Sequence, residues 1–263
     1  MLLLKLFLVP LLLLGTSLAG RRWGPRVAGR LAGLPVVVGP ILLVLTLEHG
    51  DAFGVQAAVS ALAGLAAVLS FNLAYAHACR RAAWPLAWMA AGLGWLVVVG
   101  LLSAWAPGWI ASAVLALGGL ALVPRLFPPV EATASPRPVT NRDLAVRMVM
   151  GALLTLAITA VAADLGPAWS GLVTTFPVIT TVLAVSSHRG QGPAFTVSLL
   201  RGMVTGMAGF AAFCIVLSLT LPAWGRPLAF LASVLGALST QVFVKGTMGA
   251  LVRSVRGSGS VSA

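Results

Sequence analysis

What most constrains this chain is the recurrence of long apolar stretches, nearly end to end. Residues 53–77, 84–104 and 109–124 contain no Asp, Glu, Lys or Arg. Wound as a helix at ~1.5 Å per residue, a stretch of about 20 residues matches a hydrocarbon core of ~30 Å. In hydrocarbon the backbone must satisfy its own hydrogen bonds, which leaves helices or closed barrels. The stretches are continuously apolar and do not alternate, so a barrel is excluded. With 59% hydrophobic and 8% charged residues, the chain has too little polar surface to coat a water-soluble domain. The expected fold class is an all-α integral membrane protein.

Nine crossings are expected, over about 2–19, 31–47, 53–77, 84–104, 109–124, 144–163, 169–187, 194–221 and 227–250. The proline-rich stretch 125–143 reads as a linker, and the Gly/Ser-rich 251–263 as a disordered tail. The net charge of +12 raises the question of nucleic acid, but the bases sit at the ends of apolar stretches. With the N-terminus outside, fifteen of the seventeen bases fall on cytoplasmic segments, and only Lys5 and Arg226 fall outside. That pattern points to an inner membrane protein with the C-terminus cytoplasmic and no nucleic-acid partner; fifteen Arg against two Lys, with the richness in Ala and Gly, suggests a GC-rich bacterial genome. The segment 2–19 could serve as a signal peptide, but it has an internal counterpart at 144–161, which makes it a structural helix.

That counterpart belongs to a repeat. Gly24, Pro25, Gly29 and Pro35 recur at one constant offset as Gly166, Pro167, Gly171 and Pro177. The same offset pairs Phe53 with Phe195, Gly64 with Gly206, Phe71 with Phe213 and Pro85 with Pro227. Each unit has four crossings, and one crossing lies between them. Five crossings separate equivalent helices, so the second unit must lie upside down relative to the first. Loop charge agrees: RRWGPR follows the first helix, whereas Asp164 follows its counterpart. The expected design is a 4+1+4 inverted repeat: 1–106, an adaptor helix at 107–124, the linker 125–143, and a second unit at 144–250.

GLVTTFP at 171–177, Arg189-Gly190 and RPLAF at 226–230 resemble the GlpM-type small inner-membrane proteins. The likeness covers 145–245 and, more weakly, 5–100. In the first unit Leu34 stands for the Phe, and Ala32-Gly33 for Thr174-Thr175. The resemblance implies a four-helix unit, here duplicated, and a loose link to envelope polysaccharide production.

No P-loop, HExxH, CxxC or strand-linked GxGxxG occurs, and no metal or cofactor set is recognisable. An enzyme is not expected. Cys79 and Cys214 make neither a disulfide nor a metal motif. Candidate chemistry centres on the two prolines. Pro35 and Pro177 each sit about one turn inside an apolar stretch, where they free a backbone carbonyl and can break the helix. Such breaks at matched depth can form a binding site. Thr174 and Thr181 share a face with Pro177, and Thr175 adjoins them, whereas the first unit offers no hydroxyl there. Their structural alternative is back-bonding to helix carbonyls. Asn72 needs a partner in hydrocarbon and reads as interhelical glue or a solute contact. The Glu48-His49-Gly50-Asp51 cluster reads as a solvated turn, or as a cation site at the outer mouth. Gly29-xxx-Gly33 and Gly202-xxx-Gly206 read as close-packing motifs, and Arg201 as a residue that snorkels to the cytoplasm. The expected function is passage of a small solute or ion between the repeats. The rival is an accessory membrane subunit in envelope biogenesis.

Overall fold

A computed structural model describes residues 2–130, 140–164 and 176–258. Among them the regular structure is entirely helical: α1 (Leu2–Trp23), α2 (Pro25–Ala32), α3 (Val38–His49), α4 (Asp51–Ala78), α5 (Trp84–Trp105), α6 (Trp109–Leu126), α7 (Asn141–Asp164), α8 (Val178–Gln191) and α9 (Pro193–Ser258). Four of these, α4, α5, α6 and the Pro193–Val244 part of α9, are long and apolar enough to cross a membrane.

Local chemistry sets the ends. Gly24 caps α2 with Pro25 in its first turn, where the missing N–H costs nothing. At α7, Thr140 and Asp143 form a reciprocal box. The Thr140 N–H and hydroxyl donate to Asp143 Oδ2 at 2.8 Å, and the Asp143 N–H donates to Thr140 Oγ1 at 3.2 Å. Gly50 and Gly192 link α3 to α4 and α8 to α9 with nearly the same backbone, φ/ψ 90/171 and 87/177. Only glycine enters that region without strain, and the two are equivalent positions of the repeat.

Four of the expected helices depart from their sequence-based bounds. The stretch expected as one helix over 31–47 is two pieces, with the chain turning from Gly33 to Val37 around Pro35. The helix expected at 169–187 is described from Val178, with Pro177 as its N-cap. The two final helices form one element bent at Gly225, whose φ of 69 and ψ of 169 are not helical. Its arms fold back on each other: Phe213 meets Phe230 at 6.2 Å between ring centroids, and Gln241 Nε2 donates to the Gly206 carbonyl at 2.7 Å. The helix runs to Ser258.

The core lies between α4 and the first arm of α9. Leu62, Leu69, Phe71 and Tyr75 face Leu200, Met203, Phe213 and Leu217 as parts of one buried cluster. The outer faces of α5 and α6 carry exposed Leu93, Leu96, Leu101, Ile110, Val114 and Leu117. A continuous apolar exterior of this kind is stable against lipid and not against water. α1 and α7 pack antiparallel. Arg21 donates to Asn141, Arg147 donates to Ser17, and Leu13 and Val9 close on Gly151. Val9 and Gly151 are repeat counterparts, so the pair crosses at equivalent positions.

The tightest contact joins α2 to the first arm of α9. A Cβ at Gly29 would stand 2.7 Å from the Met203 nitrogen, and one at Gly33 would stand 2.8 Å from the Met207 nitrogen. Conversely, a Cβ at Gly202 would stand 3.0 Å from Arg26 Cα, and one at Gly206 would stand 2.9 Å from Arg30 Cα. The two small-residue motifs named from the sequence thus pack on each other.

Candidate functional site

Pro177 is the root of the candidate site. Its carbonyl accepts the Thr181 N–H at 2.9 Å and so starts α8. With 14 residues, α8 is about 21 Å long at 1.5 Å per residue, too short to cross a hydrocarbon core alone. Pro177 is buried, and Phe176 before it reaches into an aromatic cluster. The Trp95 ring of α5 meets Phe176 edge-on at 5.3 Å between centroids, and Phe71 of α4 does so at 6.2 Å. Phe71 stacks on Tyr75 at 6.2 Å, and Tyr75 meets His188 at the far end of α8 at 5.9 Å. The Tyr75 hydroxyl lies 3.4 Å from His188 Nδ1.

Polar atoms in these elements are left open. Asn72, fully buried, spends its Nδ2 on the Val68 carbonyl of its own helix at 2.8 Å. Its Oδ1 meets no partner among the described residues, and neither do Thr181 Oγ1 and Trp95 Nε1. Helix threonines elsewhere bond back to the carbonyl four residues earlier, as Thr46, Thr196, Thr205 and Thr220 do. No such bond is made by Thr181. Leaving a buried donor or acceptor unsatisfied costs about 1–3 kcal/mol. An amide oxygen that accepts, a hydroxyl that donates and accepts, and an indole N–H that donates suit an uncharged molecule that carries both donors and acceptors.

Of the residues singled out from the sequence, Pro177 and Thr181 lie on α8, and Asn72 lies on α4 beside Phe71 and Tyr75. Thr174 and Thr175 lie outside the described residues. Pro35 sits in the α2–α3 break and so belongs to the corresponding place in the first unit. There Gly39 occupies the position of Thr181, and a Cβ on it would stand 3.4 Å from the Phe213 ring. Among the described residues Asn72 makes no interhelical hydrogen bond, its amide nitrogen bonding within its own helix. Gln241 does act as glue, to the Gly206 carbonyl, and Gln56 is exposed.

Other candidates resolve into structure. Asp51 accepts from Arg226 Nε at 2.6 Å, both half exposed, and His49 stacks on Phe53 at 4.7 Å. The acidic turn is therefore tied into a latch. Arg201 does not simply snorkel: its Nη2 donates to the Pro128 carbonyl at 3.1 Å and to the Phe127 carbonyl at 3.4 Å. Both cysteines are buried and free. At the end of α4, burial pushes the Cys79 thiol up to about 11, which leaves it an unreactive thiol.

Tyr75, Trp95 and His188 are not legible in the sequence as site residues. Trp95 reads as packing and His188 as a loop charge. The usable signal is the repeat register: Tyr75 is the chain's sole tyrosine, and its counterpart is Leu217. Comparisons of the chain with protein-family models, curated proteins and solved structures give no match.

Proposed function

We propose that this chain is a polytopic bacterial inner-membrane protein of inverted 4+1+4 design that passes a small uncharged solute through the site beside Pro177. The observation that carries this reading is a pair of short helices. α3 and α8 have 12 and 14 residues, and each starts beside one of the two prolines paired by the repeat. Interrupted helices at matched depth in inverted repeats recur where transporters bind their solutes.

The side-to-side assignment from loop charge is independently supported by contacts. Arg189 over the Trp84 ring at 5.6 Å, Tyr75 with His188, and Arg147 with Ser17 all join residues assigned to the cytoplasmic side. Asp51 with Arg226, and Trp109 Nε1 donating to Ser218 at 2.9 Å, join residues assigned to the outer side. The two latches also correspond. Trp84 and Arg226 occupy equivalent positions, and each touches the turn between the second and third helices of the opposite unit. The GlpM-type resemblance fits the same duplicated unit. For the accessory-subunit reading, an exposed small-residue groove would be the expected signature. The glycines of both motifs are instead consumed inside the chain.

The absence of a carboxylate among the described members of the site favours an uncharged solute over a cation or a proton-coupled cycle. The test is stopped-flow light scattering of proteoliposomes after osmotic shock with glycerol, erythritol or urea, with potassium flux as the ionic arm. Wild type is expected to exceed empty liposomes for at least one of the three uncharged solutes. Thr181→Val and Pro177→Ala are expected to reduce that flux. Permeability equal to that of empty liposomes, or flux indifferent to both substitutions, defeats the proposal.

A further inference from the structure

The open polar atoms beside Pro177 are sealed. Asn72, Thr181 and Trp95 are buried, and their unpartnered Oδ1, Oγ1 and Nε1 atoms are out of reach of solvent. A solute can meet them only if the helices around them part. Contacts at the end of α8 hold those helices together. Two successive residues there reach two different helices. His188 meets Tyr75 of α4, with Nδ1 3.4 Å from the hydroxyl, and Arg189 lies over the Trp84 ring of α5 at 5.6 Å.

These contacts stand over the site, on the faces that line it. On α8, His188 follows Thr181 by seven residues, about two turns. On α5, Trp84 precedes Trp95 by eleven residues, about three turns. Both spacings return to the same face of a helix. On α4, Tyr75 follows Asn72 by three residues, a spacing that makes helix neighbours. Each of α4, α5 and α8 thus carries an open polar group deeper in and a contact residue nearer the end where Arg189 lies. Of the three, α8 is the shortest, with 14 residues, and it has a break at each end: Pro177 at its start and Gly192 before α9. A Cβ at Gly192 would meet nothing within 4 Å, so no neighbour packs against that joint.

We propose that the Tyr75–His188 and Trp84–Arg189 contacts form a latch on α8, and that its release swings α8 about Gly192 and opens the Pro177 site toward the side that carries Arg189. The use of such a latch rests on the solute reading above, but its opening is measurable without any flux, so the two can fail separately. The Asp51–Arg226 ion pair stands at the opposite end of α4 and is not part of it.

The experiment is the rate at which a membrane-impermeant methanethiosulfonate reagent reacts with Thr181→Cys, in the full chain freed of its own thiols by Cys79→Ala and Cys214→Ala. Val185→Cys, one turn nearer His188, is the second reporter. Each rate is taken from both sides of membrane vesicles, the Arg189 side being the one from which Arg189→Cys reacts. Adding Tyr75→Phe and Arg189→Ala is expected to raise the rate from that side about ten-fold. That factor is ~1.4 kcal/mol, the order of an exposed cation–π contact together with a hydrogen bond. Tyr75→Phe keeps the buried ring, and Arg189 is exposed, so both substitutions leave the packing in place. Asp51→Asn is expected to leave the rate from that side unchanged. Rates at both reporters that ignore the latch substitutions overturn the proposal. So does an equal rise from the opposite side, or an equal rise with Asp51→Asn.

Discussion

Gly29→Ala tests the closest contact in the fold. In an open helix this change is favourable by up to ~1 kcal/mol, because alanine loses less backbone freedom than glycine. Here the new methyl would stand 2.7 Å from the Met203 nitrogen and 3.0 Å from the Gly202 carbonyl carbon, where ordinary contact begins at 3.4 Å. Both obstacles are backbone, so no side-chain rotation relieves them, and α2 must back away from α9 by a large part of an ångström. Overpacking of this kind costs about 1–3 kcal/mol. Gly100→Ala on the exposed face of α5 is the control, since a Cβ there meets nothing within 4 Å. The two substitutions are expected to differ by about 2 kcal/mol, with Gly29→Ala the less stable. For a chain of this size that is a Tm difference of about 4–8 °C, followed by tryptophan fluorescence during heating in detergent. Tm values within a degree of each other would mean that the glycine crossing does not hold α2, and the reasoning would be refuted.

Two further expectations concern the ends of the helices. Hydrogen bonds from the Thr140 N–H and hydroxyl hold the Asp143 carboxyl below the usual carboxylate range. Its folded pKa is therefore lower than its unfolded one, and the box contributes stability that is present above the unfolded value of ~3.9 and lost as pH falls through the depressed folded value. Thr140→Ala is expected to cost about 1 kcal/mol at neutral pH, and its Tm deficit to shrink below about pH 4; a deficit independent of pH counts against the box. For topology, Asp51→Cys and Arg189→Cys are expected to react with an impermeant maleimide from opposite sides of intact vesicles. Labelling of both from one side overturns the inversion.

How much is legible in the sequence depends on whether a feature lives in the chain's period or in its contacts. The long helices α4, α5 and α6 are readable because an uninterrupted apolar stretch of this length has few alternatives in lipid. The break at Pro35 is readable as chemistry but not as an outcome, since a proline in the first turn is equally compatible with a continuous helix. What resolves it is packing. α2 is held by the glycine crossing, so the chain turns at Gly33–Val37 before α3 begins. Pro222 and Pro227 flank Gly225 and suggest a loop there, yet a single positive-φ glycine is enough to reverse the helix. The equivalence of Gly50 and Gly192 is present in the sequence. It gains weight once both adopt the same positive-φ turn, where glycine is required. The aromatic cluster is least legible. It joins α4, α5 and α8 through residues as distant as Trp95 and Phe176, and no local period marks which faces meet.

Gly50 and Gly192, paired by the sequence repeat, share a backbone conformation, yet only one of the two places that the repeat pairs is equipped for polar chemistry. On the Pro177 side stand Phe71, Asn72 and Tyr75 of α4, Trp95 of α5, and Thr181 and His188 of α8, the last at the far end of that helix. Their repeat counterparts, around Pro35, are Phe213, Cys214, Leu217, Ala237, Gly39 and Thr46. Phenylalanine is kept in both, as a packing element needs. Around Pro35 the other positions become smaller or less polar, the buried Thr46 hydroxyl is spent on the Leu42 carbonyl at 2.7 Å, and the Phe213 ring rests on Gly39. A duplicated scaffold under packing demands alone has no reason to keep buried, unpartnered Asn72 and Thr181 oxygens and a Trp95 N–H on one side, at about 1–3 kcal/mol each, while the other side has lost them. The place around Pro35 fits the part of a fixed frame, with α2 locked to α9 through Gly29 and Gly33, and the place around Pro177 presents the open polar groups. Substitutions that make the second place resemble the first, such as Thr181→Gly with Trp95→Ala, are therefore the ones that separate a solute site from a structural core.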